Sequence, residues 1–173
     1  MTDIMTPEQR HFCMSQIHGT NTRPEMLVRK WLWRNGYRYR KNDKQLPGKP
    51  DIVLPRFKTV VFINGCFWHG HENCKAFHLP KSNVEYWQNK IDRNRQRDHE
   101  TYLKLYHLGW HVLIVWECQL KKQNAISTLQ ALTVRLSQIY LKLNRATPVA
   151  YINEQSQESV AAEPTPTYSC NSD

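Results

Sequence analysis

Two features that are common in membrane and secreted proteins are missing from this sequence. No segment approaches the roughly 18 consecutive apolar residues that a transmembrane helix needs. The N-terminal stretch MTDIMTPEQRHF has no basic segment followed by an apolar core, which is the pattern of a secretory signal. We therefore expect no membrane partner and a cytoplasmic location.

Acidic residues are scarce relative to basic ones. Asp and Glu number 15 against 24 Lys and Arg, and this gives a formal net charge of +9. An excess of this size attracts polyanions through counterion release and long-range steering, so nucleic acid is the favoured partner. A basic protein with no nucleic-acid role is the alternative. Six tryptophans add modest support, because aromatic rings stack on bases or wedge between them.

The sequence has no internal repeat, and its periodicities predict one α/β domain over residues 1–145. Capping patterns and helical spacing predict four helices, over about 6–17, 22–36, 83–108 and 124–143. The last helix has an apolar side made of Ile126, Leu129, Leu132, Leu136, Ile139 and Leu143. Strands are predicted over 37–39, 51–54, 59–63 and 110–116, the last of them buried on both faces. Residues 146–173 are polar and contain several prolines, and we expect a disordered tail there.

Cysteine and histidine are concentrated in one loop, residues 64–74 (NGCFWHGHENC). In a chain without a secretory signal, cysteines favour metal binding over disulfides. Cys66, His71 and Cys74 have the short local spacing of a tetrahedral zinc site, which usually takes a distant fourth ligand. Cys118 is the best fourth ligand, because it follows a predicted strand whose end can lie beside the loop.

Other assignments of these residues remain open at this point. His69 and His78 compete with His71 as the nitrogen ligand, and the spacing alone does not decide between them. The cysteines are alternatively small buried apolar residues with no metal. We expect Cys13 and Cys170 to be free thiols.

Three polar residues suggest a second, catalytic site. Magnesium-dependent nucleases need a hard oxygen cage, a carboxylate and a group that activates water. Asp51 is a candidate metal ligand, His69 a candidate general base and Glu25 a supporting group. Each also has an ordinary explanation, since Glu25 completes a helix capping box and Asp51 ends a turn. The strand that ends at Ile63 lacks a carboxylate followed two residues later by lysine, so the second half of the common restriction-type motif is absent.

Four segments, read together, resemble the very short patch repair endonucleases, which nick one DNA strand at thymine–guanine mismatches. The resemblance covers about residues 7–143. It rests on TNTRPE at 20–25, LPGKPD at 46–51, VFINGCFWH at 61–69 and LGWHVLIVWEC at 108–118. It implies a restriction-endonuclease-like fold, in which a mixed β-sheet is flanked by helices and a structural zinc site is present.

The resemblance also implies roles for the candidate site residues. Asp51 matches a magnesium-binding aspartate, and the backbone carbonyl of Ile63 a second magnesium contact. His69 matches the histidine that activates water, and Glu25 the glutamate that supports it. The implied zinc ligands are Cys66, His71, Cys74 and Cys118, which favours His71 over His69.

For DNA binding, the resemblance implies an aromatic wedge that enters beside the mismatch and a smaller plug from the other groove. The wedge residues are Phe67, Trp68 and Trp87, and the plug is Met14. For Trp87, packing in the core is an equally good interpretation. Lys90 and Asn94 match positions that contact the mismatched bases. Phosphate contacts are expected from Arg93, Arg95 and Arg97.

The sequence departs from the family pattern at two neighbouring positions. Asn64 stands where better-known members have histidine, and Ile63 where they have threonine. Asparagine cannot shuttle a proton near neutral pH, so His69 would act as the one histidine of the mechanism.

The resemblance implies an enzyme that cuts 5′ to a mispaired thymine in double-stranded DNA. It also implies a bacterial, nucleoid-associated enzyme with a functional link to a DNA cytosine methyltransferase and to repair proteins. We expect a monomer, because nicking one strand needs one site. The alternatives are a restriction-type endonuclease of the same fold and a catalytically silent, zinc-stabilised DNA-binding module.

Overall fold

The structure, a computed structural model, describes residues 19–145 together with positions 6, 8, 9, 12 and 15. Its helices, strands and short 3-10 turns follow in the order α1 (Arg23–Arg34), β1 (Arg40–Lys41), β2 (Ile52–Leu54), a turn at Pro55–Phe57, β3 (Thr59–Asn64), α2 (Val84–His107), β4 (His111–Trp116), a turn at Glu117–Leu120 and α3 (Ala125–Leu143). Four of the predicted features lie outside the described residues: Cys13, Met14, Cys170 and the tail at 146–173. Of the first predicted helix, the described part includes the reciprocal capping bonds between Thr6 and Gln9, at 3.0 and 3.3 Å.

The four strands form one mixed sheet in the order β1-β2-β3-β4. The β1–β2 and β2–β3 pairs are antiparallel, whereas β3 and β4 run parallel. The parallel register places Asn64, the last residue of β3, opposite Trp116, the last residue of β4. The loop after Asn64 and the turn that holds Cys118 therefore leave the sheet at the same edge, as the sequence analysis predicts.

Helices cover both faces of the sheet, because β2 and β3 are apolar at nearly every position and successive side chains point to opposite faces. One face packs against α1 and α3 through Val28, Leu32, Ile52, Leu54, Val61, Leu129, Leu132 and Leu136. The opposite face packs against α2 through Val53, Val60, Phe62 and Leu105. The predicted α/β class and mixed sheet are confirmed. None of the described helices has the length and apolar character of a membrane span.

Three details of the predicted elements are wrong. β4 is not buried on both faces: Val115 is buried, but Ile114 is 39% exposed, because β4 is the last strand in the order and is less covered. No strand forms at Tyr37 and Tyr39, whose rings pack against the α1–α3 core instead. The apolar side of α3 is shorter than predicted, since Ile126 and Leu143 near its ends are 63% and 48% exposed.

Candidate active site and metal centre

Asp51 lies at the point where β2 and β3 diverge. The last residue pair of their ladder is Ile52 with Val61. Beyond it, the backbone N–H of Ile63 donates a 2.7 Å hydrogen bond to the Asp51 carboxylate. Because the N–H and C=O of one extended residue point to the same side, the Ile63 carbonyl faces the Asp51 side as well. Burial raises the pKa of Asp51 to about 6, and the Ile63 N–H acts in the opposite direction.

Glu25 has two functions at the start of α1. Its carboxylate completes the predicted capping box with Thr22 and also accepts a 3.0 Å hydrogen bond from the backbone N–H of Asn21. The residue is only 3% exposed, so its charge needs a partner. Arg29, one helical turn later, provides that partner at 2.9 Å.

Arg29 is a site residue that the sequence analysis missed. It is 3% exposed, and its guanidinium donates to the Asn21 side chain at 2.8 Å and to the Asp51 carbonyl at 3.2 Å. It therefore joins the start of α1 to the start of β2. In the sequence it looks like one more basic residue of a surface helix, because only the packing of α1 on the sheet reveals its partners.

His69 is paired with Asp98, a residue of α2 that the sequence analysis also missed. The Nδ1 atom of His69 lies 2.5 Å from the Asp98 carboxylate. On the same face of α2, four residues earlier, the Asn94 amide donates a 3.0 Å hydrogen bond to the Trp68 carbonyl. The i,i+4 spacing of Asn94 and Asp98 was the signal in the sequence that both face the loop, but the two residues lie within a run of charged residues.

One cavity of about 630 Å³ brings the predicted catalytic residues together. Its lining includes Glu25, Asp51, Ile63, Asn64, His69 and Asp98. Several elements contribute to it: the start of α1, the diverging ends of β2 and β3, the loop that carries His69, and the middle of α2. The cavity thus combines carboxylates, a histidine and an exposed backbone carbonyl in one place.

The predicted zinc quartet is also assembled. The ligand atoms of Cys66, His71, Cys74 and Cys118 all lie within 4.8 Å of one another. The Nδ1 atom of His71 is 3.5 Å from the Cys66 sulfur and 3.4 Å from the Cys118 sulfur. A tetrahedral ion with bonds of about 2.3 Å to sulfur and about 2.0 Å to nitrogen separates such ligands by about 3.5 Å, so the quartet fits zinc.

The surroundings of the quartet explain why it contains His71 and neither His69 nor His78. The His71 ring stacks on Trp116 with centroids 4.0 Å apart and planes at 4°, which fixes its orientation. His69 points to Asp98 instead, and His78 does not belong to the cluster. Burial raises the pKa of the Cys66 thiol, whereas the Ala76 backbone N–H lowers the pKa of Cys74.

Aromatic rings form a half-buried cluster beside the cavity. The Phe67 ring lies 5.2 Å from Trp68 and 5.3 Å from Trp87, and the two tryptophans are 6.1 Å apart. Trp87 thus packs on the loop aromatics and belongs to neither core of the sheet. The Lys90 ammonium lies about 6 Å from both tryptophan rings, within cation–π range.

Comparison with known proteins agrees with this site. The model of the family described as DNA mismatch endonuclease Vsr matches residues 2–75. The chain is 54% identical to the type II nicking enzyme V.NmeAIP of Neisseria meningitidis serogroup A, over 71% of this chain and 87% of the relative. It is 48% identical to the type II nicking enzyme V.XorIIP of Xanthomonas oryzae pv. oryzae, over 80% of this chain and 97% of the relative.

A third relative has the name of the family itself. DNA mismatch endonuclease Vsr of Escherichia coli is 38% identical over 80% of this chain and 87% of its own length. The chain belongs to the Vsr family of DNA mismatch endonucleases. Membership makes the protein a nuclease, a hydrolase that acts on DNA, and it confirms the resemblance inferred from the sequence motifs.

In this Vsr-family chain, the basic residues of α2 differ in their freedom to contact DNA. Arg93 is exposed, and its Nε atom donates to the Asn89 carbonyl within the helix. Arg95 is paired with Glu72 of the loop that holds Cys66, His71 and Cys74. Arg97 lines the cavity, with its guanidinium 3.7 Å from Asp98. Arg97 is therefore the arginine of this group that lies nearest to the candidate catalytic residues.

Proposed function

We propose that this endonuclease nicks the thymine-containing strand 5′ to the thymine of a T:G mismatch and so initiates very short patch repair. The observation that carries the proposal is the position of the aromatic cluster, whose Trp68 lines the same cavity as Asp51 and His69. A surface that recognises a distorted base pair therefore adjoins a site that has the groups needed for hydrolysis. The relatives' names, mismatch endonuclease and nicking enzyme, support the same reaction.

Recognition in this proposal begins with wedging. Phe67, Trp68 and Trp87 enter the base stack beside the mismatch, and unstacking costs least where pairing is already weak. Lys90 and Asn94 contact the mismatched bases. Asn94 uses its amide oxygen for this contact, because its amide nitrogen donates to the Trp68 carbonyl. Met14 acts as the plug from the opposite groove. Arg93 and Arg97 contact phosphates.

Hydrolysis depends on the pairing of His69 and Asp98. Because Nδ1 is bonded to the Asp98 carboxylate, Nε2 is the nitrogen that takes a proton from the attacking water. The carboxylate fixes the ring orientation and stabilises the imidazolium that forms. Asn64 lacks a titratable group, so no second histidine takes part at that position.

The two sets of ligands suit different metals. The Asp51 carboxylate and the Ile63 carbonyl are hard oxygen donors of the type that magnesium binds, with Glu25 as a supporting carboxylate. When bound, magnesium supplies Lewis-acid polarisation of the phosphate. The thiolate and imidazole donors of Cys66, His71, Cys74 and Cys118 suit zinc, which fixes the loop.

The proposal also includes a restriction-endonuclease-like fold, a monomeric enzyme and a functional link to a DNA cytosine methyltransferase. A sheet flanked by helices supports the fold assignment, and one cavity that holds the candidate catalytic residues suits the cutting of one strand. A second candidate is restriction-type nicking of matched DNA, because the names of the Neisseria and Xanthomonas relatives state nicking and mention no mismatch.

The test uses a labelled duplex with one T:G mismatch and the same duplex with a T:A pair, each with and without magnesium. We expect a magnesium-dependent nick 5′ to the mispaired thymine and no cut in the matched duplex. Equal cutting of both duplexes would replace the proposal with the restriction-type reaction. Binding without any nick, over several flanking sequences and metals, would contradict both.

A further inference from the structure

Tyr102, a residue of α2, lines the cavity but has no role in the reaction described so far. Its ring packs against Phe62, with centroids 5.2 Å apart. Its hydroxyl accepts a 3.0 Å hydrogen bond from the side-chain amide of Asn64. Asn64 is only 4% exposed and ends β3 directly after Ile63. The hydroxyl is therefore held in place both through its ring and through its oxygen atom.

The direction of this hydrogen bond determines what the hydroxyl can do. A phenol has one O–H donor in addition to its acceptor lone pairs. Because Asn64 donates to the oxygen of Tyr102, the phenol proton is available to another acceptor. Burial raises the pKa of Tyr102, the Asn64 bond acts in the opposite direction, and the nearby Asp98 and Asp51 carboxylates raise it further. The hydroxyl thus stays protonated at neutral pH.

The cavity can use a further hydrogen-bond donor of this kind. Its carboxylates, Glu25, Asp51 and Asp98, repel the phosphate of a DNA substrate, and negative charge on the phosphate oxygens must be stabilised during hydrolysis. A tyrosine O–H supplies a hydrogen bond without adding a charge. The Tyr102 hydroxyl also loses little conformational freedom when it binds a phosphate oxygen, because its ring is already packed against Phe62.

We propose that Tyr102 is a catalytic residue that donates a hydrogen bond to a non-bridging oxygen of the scissile phosphate, and that Asn64 is the positioning residue that aims it. The inference rests on the proposed function, because it requires a phosphodiester in this cavity. It also gives Asn64 a role in the reaction that does not involve proton transfer.

The first test compares Tyr102→Phe with the wild type in single-turnover nicking of the T:G duplex. Loss of one donor to developing charge predicts a rate lower by about 100-fold. The affinity for the duplex, measured with Ca²⁺ in place of Mg²⁺, should stay unchanged. The melting temperature should fall only slightly, since the ring is retained and only the hydrogen bond from Asn64 is lost. Tyr106→Phe is the matched control, because Tyr106 lies one turn later on α2 and is 71% exposed.

The second test replaces each non-bridging oxygen of the scissile phosphate with sulfur, a weaker hydrogen-bond acceptor. One phosphorothioate diastereomer should slow the wild type, and Tyr102→Phe should lose that sensitivity because it no longer makes the contact. A structural role for the hydroxyl would leave the sulfur effect the same in both proteins. That result, or equal rates for Tyr102→Phe and wild type on the normal duplex, would overturn the assignment of Tyr102.

A third test concerns Asn64. Asn64→Ala should slow nicking less than Tyr102→Phe does, and the double variant should be no slower than Tyr102→Phe alone. Additive losses would overturn the positioning role. The wild-type reaction is measured first: if it does not cut the mismatched duplex, the proposed function fails and this inference fails with it. If only the variants behave unexpectedly, the proposed function stands.

Discussion

The two parts of the site are held together in different ways. On the side of α1 and β2, buried polar side chains organise the site: Arg29 bonds Glu25 at 2.9 Å and the Asp51 carbonyl at 3.2 Å. On the other side, the loop over residues 65–78 belongs to no sheet. It is joined to the rest of the protein by the quartet that contains Cys118 and by contacts with α2, such as that of His69 with Asp98. The first part is preorganised by the protein alone, whereas we propose that the second depends on a metal.

His69 connects the two parts. It lies in the chain between Cys66 and His71, yet its ring bonds Asp98 of α2. Its position is therefore set by the neighbouring residues of the Cys/His quartet through the backbone and by α2 through the side chain. A change in the zinc quartet should thus affect catalysis as well as recognition.

The largest effect is expected from the loss of the metal centre. Cys118→Ser removes the ligand that joins the loop to β4, and a structural zinc site contributes several kcal/mol to folding. We expect loss of bound zinc by elemental analysis, a lower melting temperature and no detectable nicking. Cys13→Ser is the control. Full activity of zinc-free Cys118→Ser would show that the loop, too, is organised by the protein alone.

Asp51→Ala tests the opposite side without affecting the loop. If Asp51 binds the catalytic metal as proposed, its loss removes about 4 kcal/mol of transition-state stabilisation, so nicking should fall by about 1000-fold. The affinity for the T:G duplex should stay close to wild type. Asp43→Ala, at a half-buried surface position, is a matched control. A parallel fall in affinity would indicate that Asp51 also organises the DNA-binding surface.

Arg29→Met tests whether the buried charges organise the first part. The variant leaves the Glu25 carboxylate buried without its partner. We expect the free energy of unfolding, measured by chemical denaturation, to fall by about 3 kcal/mol. Adding Glu25→Gln removes the unpaired charge and should restore part of that stability. Activity should stay low in the double variant, since the Asp51 carbonyl has still lost its donor. If Arg29→Met unfolds like the wild type, the network is not what holds α1 to β2.

Trp87→Ala tests the aromatic cluster by mismatch discrimination. Stacking by one aromatic ring is worth about 1–3 kcal/mol, so affinity for the T:G duplex should fall about 10-fold or more. Affinity for the matched duplex, which is held by phosphate contacts, should change little. Trp33→Ala, which alters a 57% exposed tryptophan on α1, is the control. Equal losses on both duplexes would contradict the wedge.

The smallest effect concerns the pH dependence of stability. The pKa of Asp51 is raised to about 6 from its ordinary value of 3.8. Ionisation is therefore harder in the folded state, and metal-free protein should lose about 1 kcal/mol of stability as the pH rises from 4 to 5. Asp51→Asn should not show this loss in metal-free denaturation curves. Identical pH profiles of the two proteins would contradict the raised pKa.

The sequence predicted elements well where local interactions define them. The capping box of Thr22 and Glu25 marked the start of α1, and the β-branched run marked β3, because both patterns depend on neighbouring residues. It failed where burial depends on distant neighbours. The apolar run of β4 predicts a strand buried on both faces, but the sheet order makes it the last strand, and Ile114 is partly exposed.

By itself, the sequence determined the helices and most of the strands, the composition of the metal-binding loop and the family to which the chain belongs. These depend on residue types and spacings that are fixed along the chain. Only the tertiary structure decided the partners: Asp98 for His69, Arg29 for Glu25 and Asp51, and Tyr102 for Asn64. Most of these contacts join elements far apart in the sequence, so their distances are set by how α1 and α2 pack on the sheet, and no local pattern records that packing.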